Sequence, residues 1–228
     1  MKIADRVGAF TGAAYVLLTL VGNTLSTDNY PGPSDAHPTG RQDIDYVHWL
    51  AGTSSAQFGV TMELMGFAAF VLFVGYLCTR VHRAGWLAAA AAVGGAVAVA
   101  VKVASGAPIV VGYLLRDEMS DEMARVLADL NGAAFVLDWL PTGLFVACAG
   151  GAALVSGTIG RILGWGGVAV GTASVVSAAV TGVHVLSANV VPFLLCLLWI
   201  LAISVRLGVR RTFEPSAERT PQPASLGT

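Results

Sequence analysis

The chain has 228 residues, of which 55% are hydrophobic and only 12% are charged, and its mean hydropathy is +0.71. A soluble domain carries roughly 25% charged residues, so this composition excludes a water-facing globule and predicts an integral membrane protein. The net charge of -1, without a basic stripe or zinc-finger spacing, indicates no nucleic-acid partner. Three isolated cysteines inside apolar runs predict packing rather than redox or metal chemistry: Cys78, Cys148 and Cys196.

Six apolar segments are long enough to cross a bilayer as helices, which takes about 20 residues each. In chain order, the predicted spans are 7–26, 57–79, 84–104, 133–156, 162–184 and 188–206. Because these runs are continuous rather than alternating, the expected fold is an all-α polytopic membrane helix bundle and not a barrel. The first run follows Lys2 and Arg6 but is long for a signal peptide, so we expect it to be retained.

The last two spans share one stretch without Asp, Glu, Lys or Arg. Their turn is expected at residues 184–189, just before Pro192, because proline is tolerated in the first turn of a helix. Small residues predict close approach of helices elsewhere in the bundle. They are Gly94–Gly95, Gly150–Gly151 and the glycines between Gly164 and Gly171.

The distribution of Arg and Lys predicts that both termini lie in the cytoplasm. With the N-terminus inside, that side receives Lys2, Arg6, Arg80, Arg83, Arg161, Arg206, Arg210 and Arg211. The segment 207–228 is then a disordered cytoplasmic tail, and the protein is a multi-pass protein of the cell membrane. The outer side receives two long segments. In the second of them, Ser120-Asp121-Glu122 predicts the start of a short amphipathic helix on the outer face.

Ionisable residues inside the spans are costly and indicate function by default. Glu63, Lys102 and Asp138 lie on three different spans, sixteen to eighteen residues from the cytoplasmic ends. At the helical rise, they share one depth roughly 24 to 27 Å from the inner boundary. His184 and Asn189 are expected at the outer ends of the last two spans, and Asn23 at that of the first.

The shared depth predicts an outward-facing polar pocket that binds a small amphiphile, a lipid or a partner. Lys102, Trp139, His184, Asn189 and Asn23 are the candidate ligand-binding residues, with Phe58, Phe67 and Phe135 as candidate apolar walls. The alternative is a structural lock, in which Lys102 pairs with one carboxylate and removal of either partner destabilises the bundle. One cation and two acids do not balance, which leaves both interpretations open.

A metal site is a weaker hypothesis. Asp45-x-x-His48, with Asp43 and His37 close by, has suitable residue types, but isolated Asp and His residues in an outer loop are usually structural or solvent-facing. The sequence predicts no metal and no cofactor.

Three stretches resemble a family of small multi-spanning membrane proteins common in actinobacteria. They are Asp5-Arg6-Val7-Gly8 with Val21-Gly22-Asn23-Thr24-Leu25, the run from Val126 to Phe135, and the run from Ser156 to Trp165. Gly160-Arg161 stands where that family usually has Pro-Arg. The resemblance implies the same topology and no particular activity.

A membrane-embedded enzyme is the main alternative to a binding protein. It would resemble the integral-membrane terpene cyclases, with Glu63 or Asp138 as the catalytic acid and Trp139 lining an isoprenoid or lipid site. Lys102 at the same depth argues against a strong acid. A proton-coupled transporter ranks last, because the cytoplasmic halves of the spans carry no polar path.

Overall fold

The structure is a computed structural model that describes residues 3–28, 30, 39–183 and 190–209. These ranges are helical throughout apart from short turns, and they contain no strand. The helices are α1 (Ile3–Asn23), α2 (Gly40–Gly52), α3 (Ser54–Val81), α4 (Trp86–Ser105), α5 (Ala107–Leu114), α6 (Asp121–Leu137), α7 (Trp139–Ser156), α8 (Arg161–Val183) and α9 (Val191–Val209). A π-helical turn, Thr24–Asp28, follows α1, and a 3₁₀ turn, His82–Ala84, follows α3.

Six helical stretches are long and apolar enough to cross a membrane, which confirms the predicted all-α bundle with six spans. They are Ile3–Thr27, Ser54–Ala84, Trp86–Leu114, Asp121–Ser156, Arg161–Val180 and Val191–Val209. The chain is therefore a multi-pass integral membrane protein. Pro192 lies in the first turn of α9, as expected. The turn predicted at residues 184–189 lies outside the described residues.

Four spans, the first to the fourth, are longer than predicted, and the third and fourth are extended by a further helix each. The third continues past Gly106 into α5, where Pro108 occupies the first turn. The amphipathic helix predicted at Ser120 does begin there, with the Ser120 hydroxyl accepting a hydrogen bond from the Met123 amide at 3.3 Å. However, α6 has 17 residues and continues almost directly into α7. The start was predicted correctly, whereas the short length was wrong because apolar residues extend the helix to Leu137.

Helix α7 forms the centre of the bundle. It packs along α4 and α8 and also contacts α3 and α9. Its buried face joins aromatic side chains of α1 and α3, with Phe145 edge-on to Phe70 and Phe73, and Phe70 stacked on Tyr15 at 4.4 Å. Contact between α7 and α8 is close because a Cβ at Gly150 would lie 2.7 Å from the carbonyl oxygen of Gly164. Small residues therefore bring these helices together, as predicted.

The first and last spans are also joined. Ser204 of α9 is buried; its hydroxyl donates to the carbonyl of Ala9 and accepts from the amide of Ala13 at 2.7 Å. Gly208 packs directly against the ring of Phe10. Helix α1 thus lies between α3 and α9, which closes the bundle on that side.

The two ends of the bundle differ. We call residues 3–6, 80–86, 156–161 and 206–209 the basic end, where Arg80 pairs with Asp5 at 2.8 Å. We call residues 24–28, 39–53 and 107–125 the capped end. There, α2 contacts α3, α5 and α6 and lies across the ends of the spans. Helix α9 extends to Val209, beyond the predicted tail boundary at 207; residues 210–228 are outside the described part of the chain.

Candidate functional site

Two of the three ionisable residues singled out in the spans meet in the structure. Lys102 lies in the last turn of α4 and Asp138 at the joint between α6 and α7. The Lys102 Nζ atom is 3.4 Å from the Asp138 Oδ2 atom, and the two side chains are only 11% and 1% exposed. The Thr142 hydroxyl, one turn further along α7, donates to the same carboxylate oxygen at 3.3 Å. Two of the three residues that were predicted to share one depth therefore form a buried ion pair.

Aromatic rings enclose the Lys102 ammonium group. Its nitrogen lies 4.3 Å from the ring centre of Phe135 and 5.1 Å from that of Phe193, both within the range of cation–π attraction. Phe135 is edge-on to Trp139 and Phe193, and Trp139 stacks on Phe193 at 6.1 Å. Three helices, α6, α7 and α9, thus supply an aromatic wall around a charge supplied by α4.

Glu63 lies close by but has a different partner. Its Oε1 atom accepts a hydrogen bond from the buried hydroxyl of Ser26 at 3.1 Å. Ser26 belongs to the π-helical turn that follows α1, and its carbonyl accepts from the Tyr46 hydroxyl of α2 at 2.9 Å. Glu63 and Lys102 are within electrostatic reach of each other. The polar cluster therefore comprises Glu63, Lys102 and Asp138, with Ser26 and Tyr46 connecting it to the capped end.

Tyr46 is partly buried at the capped end. Burial raises the pKa of Tyr46 to about 12, and nearby Glu63 adds to the rise. The Tyr46 ring also contacts Tyr30 at 5.4 Å and Trp49 at 5.9 Å. Tyr30, Tyr46 and Trp49 thus form an aromatic group at the capped end, which Ser26 connects to Glu63.

Two buried polar atoms of the cluster have no hydrogen-bond partner among the described residues. They are the Asp138 Oδ1 atom, an acceptor, and the Trp139 Nε1 atom, a donor. Buried polar groups are nearly always satisfied, and each exception calls for a physical explanation such as an ordered water or a ligand. Leaving such a group unsatisfied costs about 1–3 kcal/mol. A water molecule or a ligand hydroxyl group would satisfy both atoms.

The other candidate residues are more scattered. Asn23 is exposed, and its backbone carbonyl accepts from the Thr27 hydroxyl at 2.7 Å. Phe58 is largely exposed, and Phe67 packs against the core instead. His184 and Asn189 lie outside the described residues. Ser26, Tyr46 and Phe193 were missed, since nothing in the sequence distinguishes them from other residues at span ends.

The residues considered for a metal are dispersed. Asp45 pairs with Arg41 of its own helix at 3.6 Å, and His48 is exposed. Asp43 faces α6, and burial raises its pKa while nearby Arg125 offsets part of the rise. Within the described ranges, no group of three or more His, Cys, Asp or Glu side chains could hold a metal ion. His37 is outside those ranges.

Both carboxyl groups of the cluster are engaged by neighbouring side chains, which disfavours acid catalysis. Asp138 would have to break its ion pair with Lys102 before it could donate a proton, and Glu63 is engaged by Ser26. Asp138 and Trp139 are also almost fully enclosed.

No protein-family model, curated protein or solved structure matches this chain. Its function must therefore be argued from the polar cluster itself.

Proposed function

We propose that this multi-pass membrane protein binds the hydroxyl-bearing head of a small amphiphile at the polar cluster. The observation that supports the proposal is the pair of unsatisfied buried atoms on adjacent residues, Asp138 Oδ1 and Trp139 Nε1. One accepts a hydrogen bond and the other donates one. A hydroxyl group both donates and accepts, so it complements the two atoms with a single functional group.

Charge favours a neutral head group. The cluster holds two carboxyl groups, Glu63 and Asp138, against the single ammonium of Lys102. An anionic head would meet excess negative charge in a medium of low dielectric constant, where such repulsion is large. A cationic head would compete with Lys102 for Asp138. A neutral alcohol avoids both costs.

The ligand's apolar part is accommodated by the surrounding rings. Phe135 covers Lys102 yet is itself 38% exposed. The proposal requires this one side chain to rotate, so that the head group can enter the cluster from the bilayer. Phe193 and Trp139 then provide apolar surface next to the head group. The amphiphile therefore reaches the site laterally, with its chain still in the membrane.

Two tryptophans provide a matched test. Trp139→Phe keeps an aromatic side chain but removes the unsatisfied N–H group. Trp199→Phe makes the same change but removes an N–H group that donates to the Leu163 carbonyl at 2.8 Å. The purified protein is titrated with dioctanoylglycerol and with trioctanoylglycerol, which lacks the free hydroxyl. Binding is read by native mass spectrometry and by the shift in unfolding temperature.

We expect dioctanoylglycerol, and not trioctanoylglycerol, to stabilise the wild-type protein. Trp139→Phe abolishes that shift, and its basal stability falls only through the loss of buried ring volume, because the removed N–H group makes no hydrogen bond within the described residues. Trp199→Phe loses similar buried volume and keeps the shift, but its lost hydrogen bond lowers basal stability by about 0.5–1.5 kcal/mol more. Equal shifts with both glycerides, or no shift with either, would reject the proposal and leave the cluster as a structural lock.

We infer further that the protein resides in the cell membrane with its basic end in the cytoplasm. The four arginines there that have no ion-pair partner in the described residues support this orientation. They are Arg6, Arg83, Arg161 and Arg206. A green fluorescent protein fused to the C-terminus should fluoresce, since it folds in the cytoplasm but not after export by the general secretory route. A dark fusion at normal expression would reverse the topology.

A further inference from the structure

A groove runs between α8 and α9 at the basic end, far from the polar cluster. It has a volume of about 550 Å³ and is lined by Leu163, Ala202, Val205, Arg206 and Val209. Four of these five side chains are apolar. Next to the groove, Trp199 packs against Gly167 and donates to the Leu163 carbonyl. The Trp199 ring therefore fixes the spacing of the two helices beside the groove.

Arg206 places a charge in this otherwise apolar groove without an internal counter-ion. Its side chain is exposed, and within the described ranges it makes neither an ion pair nor a hydrogen bond. Its guanidinium group lies beside Gly160, where a Cβ would be 3.2 Å from the Nη2 atom. Helix α8 begins at the next residue, Arg161, which also has no acidic partner there. The positive charges at this end of the groove therefore reinforce one another.

Nearby surface residues indicate that the groove opens toward lipid rather than water. Ile162 is 88% exposed and Trp165 is 64% exposed on the first turns of α8. Val209 at the end of α9 is also largely exposed. Exposed Trp and aliphatic side chains beside arginine are typical of the boundary between the acyl chains and the head groups.

We propose that the α8–α9 groove binds one anionic phospholipid, with its phosphate at Arg206 and an acyl chain along Leu163, Ala202 and Val205. The charge of the arginines selects an anionic head, because arginine binds phosphate through a planar set of N–H donors. The apolar lining favours a lipid over free phosphate, which would gain nothing from it. The proposal is independent of the amphiphile site at the capped end.

The test compares three variants in nanodiscs of phosphatidylcholine that contain a minority of phosphatidylglycerol. Arg206→Gln removes the charge in the groove, and Ala202→Phe fills the groove while keeping the charge. Arg83→Gln removes an exposed arginine of the same end that lies outside the groove and has no ion-pair partner among the described residues. Lipids that remain bound after release from the nanodisc are counted by native mass spectrometry. Unfolding temperature is recorded for each variant to confirm folding.

We expect Arg206→Gln to weaken phosphatidylglycerol retention about fivefold, in line with the contribution of one arginine near a membrane surface. Ala202→Phe should remove the same bound lipid, whereas Arg83→Gln should retain it. Equal losses in Arg206→Gln and Arg83→Gln would indicate diffuse attraction and overturn the proposal. Displacement of the lipid by inorganic phosphate, or retention in a folded Ala202→Phe variant, would overturn it as well.

Discussion

The capped end and the basic end use arginine in opposite ways. At the capped end, each of three arginines pairs with an acid close by in sequence: Arg41 with Asp45, Arg116 with Asp117, and Arg125 with Asp129. At the basic end, only Arg80 has an acidic partner, and four other arginines have none within the described chain. The capped end neutralises its arginines by internal ion pairs. At the basic end, most arginines are available to groups outside the described chain, such as lipid head groups.

Burial makes the contrast energetically important. The Lys102–Asp138 pair next to the capped end is almost fully enclosed, whereas the Arg80–Asp5 pair at the basic end is about one-third exposed on both sides. Exposed pairs contribute roughly 0–1 kcal/mol, and removing one partner of a buried pair costs roughly 3–5 kcal/mol. The two ends should therefore respond very differently to the loss of one charge.

The largest effect is expected from Lys102→Met, which leaves Asp138 buried without its counter-ion. We expect a loss of about 3–5 kcal/mol in unfolding free energy, measured by denaturant titration in micelles. Asp5→Asn at the basic end is the matched control, with a loss below about 1 kcal/mol. Adding Asp138→Leu to Lys102→Met should recover much of the stability, because no charge then remains buried. Similar losses in both single variants would remove the distinction between the ends.

A smaller effect is expected where α1 and α3 touch near the capped end. A Cβ at Gly59 would lie 2.6 Å from the carbonyl oxygen of Gly22, whereas Gly75, further along α3, has nothing within 4 Å. Gly59→Ala should therefore cost about 1–3 kcal/mol through overpacking. Gly75→Ala should be neutral or stabilise by up to about 1 kcal/mol. The comparison is read from thermal unfolding, and equal effects would show that the helices can separate without cost.

The smallest effect concerns Tyr46→Phe, which removes the hydrogen bond to the Ser26 carbonyl. We expect a loss of about 0.5–1.5 kcal/mol at neutral pH. Because the pKa of Tyr46 is raised to about 12 in the folded protein, above roughly 10 in the unfolded chain, folding favours the neutral phenol. Its contribution is complete below pH 10 and is lost as the pH rises toward 12.

The pH dependence separates Tyr46 from other groups that titrate in the same range. Wild type and Tyr46→Phe are unfolded in parallel between pH 8 and pH 12, as an order-of-magnitude window around the two pKa values. The difference in unfolding free energy should shrink as the pH rises. The wild-type protein loses the contribution of the neutral Tyr46 phenol, which the variant lacks at every pH. A stability difference that stays constant with pH would contradict burial of the Tyr46 phenol in the folded protein.

Much of the fold follows from the sequence because an apolar run of about 20 residues has few alternatives to a membrane helix. The shared depth of Lys102 and Asp138 also follows, since helical rise fixes depth, whereas the sequence left open which carboxylate would pair with Lys102. Rotation about each helix axis is not fixed in this way, and Glu63 faces Ser26 rather than Lys102. The resemblance to the actinobacterial membrane family stays a prediction.

Helix α2 begins at a capping signal that is present in the sequence. Thr39 and Gln42 form a capping box, in which the Thr39 hydroxyl accepts from the Gln42 amide and the Gln42 side chain accepts from the Thr39 amide. The T-x-x-Q spacing is a known signal for a helix start. Asp45 and His48 were predicted to lie in an outer loop, so this helix was not predicted. The docking of α2 onto α6 depends on tertiary contacts that no local pattern specifies.

The hydrogen bonds between Ser204 and α1 have a consequence for the synthesis of the protein. Because its hydroxyl bonds α9 to Ala9 and Ala13 of α1, α1 completes its contacts only after α9, which the ribosome makes much later. Until then, the face of α1 that carries Ala9 is either exposed to lipid or bound by the insertion machinery. The order of translation and the order of assembly are therefore different in this protein.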